Sequence, residues 1–540
     1  MRKLVLFLII ILPVLAYPQE TKKSNPKVEL PDFVTTGKEI VSAQKAKKIP
    51  PDLVSIISRK FTKPAHSPEE LSLKEFPNPL QTRLSLIDSV SYKNGLLEAG
   101  IGSYFIPDAK LTYSNPFENG LFEIRLGTLT QRAYVPNSEK LELNGGASLY
   151  YFIKSSSPVF DGMKFKLNGD ALSEAYKLYG IGEFAPVPPE KRTLNTGNFS
   201  FLITNLSNES FLYGIELSDE IAFLNKQTFS ENLLGLNSFW KVNVSAFNIG
   251  LDLNYKRQFI RNDVQNNSEY YFINARPSIG LNLSDVLRLQ FGLTYAQDGG
   301  HSFSAPYASA ALLFNKNLTL FGEFAPVAEF LTENYFIRMN PYLSTGSITN
   351  IFFKKTNILK AVLKYEYEEY FEIDGGIKYY TSDEIPVFAY NIIDGSFNVV
   401  PIGGSSTAGF LNLLFHPGPF GVFYGTLQFE EAKDNAGNTL PYHPAGTASL
   451  NYSYNFGIGL TTEASLYYAS DFRGAKTYAD SISTEQINSY INLGLKFSYR
   501  LTPGFFITAQ MNNLLNNKNY TWLRYQELPL NIIGGIKLIW

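Results

Sequence analysis

From about residue 82 onward, apolar and polar positions alternate in short runs, separated by clusters of Gly, Asn, Asp and Pro. A period of two sends successive side chains to opposite faces of a strand, so each run reads as a strand with one oily and one polar face. In one run Ile491, Leu493, Leu495, Phe497 and Tyr499 oppose Asn492, Gly494, Lys496, Ser498 and Arg500. In another, Leu287, Leu289, Phe291, Leu293 and Tyr295 oppose Arg288, Gln290, Gly292 and Thr294. Ala448, Leu450, Tyr452 and Tyr454 oppose Ser449, Asn451, Ser453 and Asn455, and shorter examples begin at Met163 and Leu251. The alternation weakens between about residues 380 and 405, where it hides strands and leaves the strand count soft, and Gly403-Gly404-Ser405-Ser406 reads as a loop tip before the strand that holds Phe410 and Leu413.

A soluble all-β protein alternates in the same way on half-buried strands. Three features favour a membrane barrel. The pattern runs to Trp540 without the compositional break expected where a long chain divides into domains. Many runs hold about 9–11 residues, the length a tilted strand needs to cross hydrocarbon. The oily faces end in Tyr, Phe or Trp, as an interfacial girdle requires. The expected fold class is therefore all-β, a transmembrane antiparallel β-barrel spanning residues 82–540. Dividing that length by roughly 20 residues per strand and loop gives about 22 strands, within a range of about 18–24. A lumen of that width is not filled by the wall's own side chains.

The N-terminus reads differently. Met1-Arg2-Lys3, an apolar stretch from Leu4 to Leu12, and Val14-Leu15-Ala16 form a signal-peptide pattern over residues 1–16. Pro13 ends the apolar stretch short of the ~20 residues of a spanning helix. Residues 17–81 are charged and broken by Pro50-Pro51, Pro64, Pro77 and Pro79, the composition of a short irregular periplasmic extension or linker, or of a reduced plug. No later apolar run is long enough for a helical span, so a membrane crossing has to be made by strands.

Composition sharpens this picture. There are 42 Phe and 34 Tyr against 4 Met, a bias that suits strand faces and girdles. The net charge of −2 argues against a nucleic-acid surface. With no Cys, the chain carries neither a disulfide framework nor a lipid-anchor thiol. The 4 His are scattered and none shares a metal-ligand spacing, so no cofactor or metal is expected. No Gly-x-Ser-x-Gly elbow appears, and no enzymatic activity is expected.

The last hundred residues resemble the C-terminal barrel of TonB-dependent outer-membrane receptors. Pro441-Tyr442-His443-Pro444 followed by Thr447 to Tyr452, then Gly457 to Tyr468, are similar to the family's entry into its last strands. Met511 to Tyr520 (MNNLLNNKNY) is similar to the Asn-rich signature before its final strand. The end Gly535-Ile536-Lys537-Leu538-Ile539-Trp540 resembles the signal read by the barrel-assembly machinery, with Ile533 where a polar residue is usual. The resemblance weakens upstream of residue 350, and the N-terminal part is too short for the family's folded plug. Within it, Leu30, Asp32, Phe33, Val34 and Thr35 look like the leader around a TonB box, or alternatively belong to an extended linker.

The resemblance implies a Gram-negative outer-membrane location and transport or reception of a small solute, with TonB or another periplasmic protein as partner. A structural barrel anchoring a cell-surface or periplasmic complex is the alternative. Candidate lumen charges are Lys360, Lys364, Glu366, Glu368, Glu372 and Asp374, with Lys378 nearby. They read either as a charged path for a polar solute or as a wall paired across its own strands. Tyr520, Trp522 and Tyr525 read as girdle residues or as a stacking surface for a flat ligand.

Overall fold

The computed structural model describes residues 94–540 except 156, 158–159, 161, 181–188, 206–209, 225–228, 263–266, 285, 316, 368–370, 416–420 and 479–480. The signal pattern, the extension and the TonB-box-like segment Leu30–Thr35 lie outside the described residues.

Among the described residues, Tyr520–Trp522 with Tyr525–Gln526 form a separate pair, and 25 strands join into one sheet. Three of them, Val327–Thr332, Phe472–Tyr478 and Ser481–Ile487, pair onto its outer edge, which leaves 22 in a closed antiparallel ring. Closure is made by Asn531–Ile539 against Gly95–Gly102, from Leu96 opposite Ile539 to Gly102 opposite Ile533. The Trp540 backbone completes it by exchanging hydrogen bonds with Gly95 at 2.9 and 3.0 Å. Two glycines let the seam close tightly: a Cβ on Gly535 would sit 2.6 Å from the Ala99 carbonyl, and one on Gly102 2.4 Å from that of Ile532. Ile533 faces inward against this glycine strip, which is why an apolar residue fits there.

The alternation read from sequence sorts the wall into two faces. Leu126, Leu143, Phe199, Leu217, Ile249, Phe291, Leu363, Ile377, Leu411 and Ile507 stand exposed on the outside, far more apolar surface than a soluble protein leaves in water. Such a belt is stable in hydrocarbon. Exposed Tyr113, Phe117, Tyr151, Tyr367, Tyr499 and Trp540 edge it at the end that holds Gly95, and Tyr271 and Tyr295 lie toward the other.

The two rims differ. At the Gly95 end most connections are tight, as between Phe117 and Gly120, Val244 and Phe247, or Thr502 and Phe505. At the opposite end the connections between Lys177 and Lys191, Phe324 and Asn350, Ala469 and Tyr490, and Asn512 and Asn531 are long, and the last three carry strands or a helix of their own. Short periplasmic turns and long external loops are the rule in bilayer barrels, so the long-loop end is the outer one.

The strands that weak alternation hides are found, and one sequence reading, the loop tip, is corrected. The region 380–405 forms the outer halves of two long strands, Phe371–Asn391 and Phe397–Phe415. Val387, Phe388, Ala389 and Tyr390 are consecutive and all buried, so both faces are packed and no alternation survives. Gly403 to Ser406 are not a loop tip but lie inside the second strand: Gly404, Ser405 and Ser406 are paired on both sides, and Gly403 sits where the register shifts. Gly404 is required there because a Cβ would lie 2.2 Å from the Lys433 carbonyl.

Candidate transport path

The predicted lumen charges lie on Asn350–Tyr367 and Phe371–Asn391, where Glu366 pairs with Glu372, Lys364 with Asp374 and Lys360 with Lys378. They alternate with Leu359, Leu363, Tyr365 and Ile377, whose exposure to the outside puts the charges on the inner wall. Lys364 Nζ sits between Glu366 Oε1 (2.6 Å) and Glu372 Oε1 (3.0 Å), so the two facing carboxylates share one cation. Asn412 Nδ2 donates to Asp374 Oδ2 at 2.8 Å. Lys378 lies 5.0 Å above the Phe410 ring and Lys360 6.0 Å from that of Phe321. Five of the six predicted charges thus form one mixed-sign ladder, and Glu368 lies outside the described residues. Arg125 makes a second such node on the inner wall, with Glu123, Asp170, Ser148 and Asn168 around it.

The outer mouth is covered by a packed lid that the sequence reading missed. Its core joins Tyr176, Leu178, Leu194, Leu224 and Ile260 from one side of the ring to Ile385, Tyr390, Phe397, Leu440, Phe472 and Ile487 from the other. Across the middle runs the connection from Phe324 to Asn350. It begins as Val327–Thr332, paired with Asn350–Lys355, and continues as helix α1 (Glu333–Met339). Thr332 caps α1 by accepting from the Tyr335 amide, Glu333 stands in its first turn and Arg338 in its last. Phe336 and Ile337 are its inward face, and Phe336 is 0% exposed. Burying one aromatic of this kind is worth roughly 2–3 kcal/mol, against little for a short helix standing alone.

Tyr520, Trp522 and Tyr525, read as girdle or ligand surface, are neither. Their connection turns back over the mouth, where Tyr525 stacks on Tyr342 at 3.6 Å and Trp522 packs on Phe388, Phe397 and Tyr442. Tyr525 Oη donates to the Gly395 carbonyl at 2.7 Å. The turn that reverses this connection uses the Asn-rich signature: Asn513 and Asn516 adopt positive φ, and Asn513 Nδ2 donates to the Asn517 and Leu528 carbonyls. Burial pushes the Tyr134, Tyr179, Tyr342 and Tyr442 phenols well above their ordinary range, so these hydroxyls stay protonated. The signals present in the sequence were the lost alternation at 380–405 and the clustering of aromatics beyond residue 520.

No family model and no curated protein matches the chain in sequence. Solved structures match its fold. The FrpB iron transporter from Neisseria meningitidis aligns with a TM-score of 0.63 at 10% identity, over 84% of this chain and 83% of its own. The fold is that of the siderophore-receptor barrels. The ferric-catecholate import receptor Fiu from E. coli K12 aligns at 0.60 and 10%, over 83% of this chain and 82% of its own. The siderophore receptor PirA from Acinetobacter baumannii aligns at 0.61 and 9%, over 83% and 80%. This receptor-like barrel therefore keeps strand number and topology where almost no side chain is shared, because closure depends on backbone pairing and on which face is apolar.

Proposed function

We propose that the chain is an outer-membrane transport or receptor barrel that binds or passes a small polar solute, closed at its outer mouth in the conformation described. The observation that carries this reading is the closed 22-stranded ring whose inner wall is lined by charged ladders and whose outside is an oily belt. A barrel built only as an anchor has no need of that width. Lipid surrounds the belt, and the Gly535, Leu538 and Trp540 strand is the one the barrel-assembly machinery would read. The solved proteins of this fold include an iron transporter and siderophore receptors, so iron chelates are the first solutes to try. Energy would come from TonB or another periplasmic protein acting on the extension, for which Leu30 to Thr35 is the candidate box. Transport of this kind requires no covalent step.

The test is solute-dependent flux through the purified full-length barrel in liposomes and uptake in cells carrying it. A solute that is taken up, competes with itself and loses uptake on removal of the barrel supports the reading. Uptake that persists after Phe33→Pro and Val34→Pro removes the TonB-box assignment while leaving the barrel assignment standing.

A further inference from the structure

We infer that residues 327–355 are a single hinged arm, the outer gate of the barrel, latched onto the inner wall by side chains of strands up to eight places away round the ring. The inference deepens the transport reading and rests on it.

The arm is separable from the wall by its pairing. The strand Asn350–Tyr367 belongs to the ring from Leu359 onward, where it pairs on both sides. Before Thr356 it pairs with Val327–Thr332 alone, so Asn350–Lys355 and Val327–Thr332 form a two-stranded ribbon that has left the barrel. The departure point is irregular on both strands. Ala325-Pro326 interrupts one, and on the other the register shifts between Thr356 and Leu359, with Asn357 at φ 53. A bulge bends a strand at one place and leaves the pairing beyond it intact, as a hinge requires. A two-stranded ribbon has little stability of its own, so what it packs against decides where it lies.

Its attachments fall into two groups. Near the hinge, Phe330 and Phe352 pack on Phe272 at 5.7 and 5.9 Å, beside Leu233 and Ala296. At the tip, Phe336, Ile337 and Leu343 are buried in the lid core and Tyr342 stacks on Tyr525, and hydrogen bonds from strands further round the ring add to this packing. Tyr176 Oη donates to the Pro341 carbonyl at 2.7 Å, and the buried Arg192 guanidinium donates to that of Leu343. Asn262 Nδ2 donates to Glu333 Oε2 at 2.7 Å, and Gln258 Nε2 to the Thr349 carbonyl at 3.1 Å. Glu231 accepts from the Asn334 amide. Hydrogen bonds of this kind are directional, so they fix where the packed tip sits, and none of them belongs to the ladder that closes the ring.

The chain has no cysteine, which makes the test clean. Tyr176→Cys with Tyr342→Cys, whose rings lie 6.2 Å apart, places two thiols across the latch for a short bifunctional maleimide. Three proteins are compared in planar bilayers: the wild type, the cross-linked double variant, and Arg192→Ala, with heat-modified gel mobility reporting that each has folded. Losing the Arg192 latch should raise the fraction of time open by about tenfold. Cross-linking should abolish openings, and cleaving a cleavable linker should restore them. Openings unchanged by the cross-link overturn the arm as the gate. A variant in which residues 327–355 are replaced by a short Gly-Ser turn separates the two levels: steady conductance supports a path under the arm, whereas a folded but silent barrel sinks the transport reading itself.

Discussion

Phe336→Ala is the perturbation that most directly tests whether the lid is held by its core. The ring is fully buried on α1, packed edge-on against Phe388 at 6.1 Å and against Tyr335 at 5.3 Å. Removing it deletes the transfer energy of an aromatic side chain and leaves a cavity whose walls, drawn from the arm and from Phe371–Asn391, belong to different connections and close in poorly. Phe→Ala at such sites costs about 3–5 kcal/mol, which is roughly two to three and a half orders of magnitude in the equilibrium between packed and detached lid. The loss falls on the lid and leaves the ring alone, because none of the ring's hydrogen bonds involves this side chain. Phe291→Ala on the oily belt is the matched control: its ring is 48% exposed and carries no lid contact. Amide hydrogen exchange over residues 333–343, with chemical unfolding of the whole barrel alongside, reads both. Exchange in the lid should accelerate by about a hundredfold or more while the unfolding midpoint stays with the control. Equal exchange in Phe336→Ala and wild type would refute the claim that packing under α1 holds the mouth shut.

Lys364→Ala leaves Glu366 and Glu372 facing each other without their shared cation, so it should cost about 0.5–1 kcal/mol and shift the barrel's reversal potential toward cations in a salt gradient. Gly404→Val drives a side chain into the Lys433 carbonyl; loss of the heat-modifiable folded band in gels is expected, with Gly409→Ala, whose Cβ would lie 4.0 Å from the Gly376 carbonyl, as a tolerated control. Because burial raises the phenols of Tyr179, Tyr342 and Tyr442, the detached lid releases their protons near pH ~10 while the packed lid holds them. Lid packing is therefore fully present below that pH and lost as pH rises above it, seen as increasing conductance in alkaline buffer; a flat profile to pH ~12 would count against it.

How much was legible depended on whether a segment had one buried face or two. Strands such as Tyr490–Thr502 and Leu287–Asp298 meet lipid on one side and the lumen on the other, so their sequences alternate. From that alternation came the fold class, the strand number and the inward placement of Lys360, Lys364, Glu372 and Asp374. Phe371–Asn391 and Phe397–Phe415 alternate along their inner halves and cease to where they enter the lid, so the same strand is readable at one end and opaque at the other. The aromatics Tyr520, Trp522 and Tyr525 show the complementary limit, since residue type alone does not distinguish a girdle from a core. Local chemistry in the sequence determined that this chain makes a wide barrel with charged inner ladders and a Trp540-ended closing strand. Only the tertiary structure decided that the mouth is covered, because the lid is assembled by contacts between Tyr176, Leu343, Phe397 and Tyr525, far apart in the chain and brought together by closure of the ring.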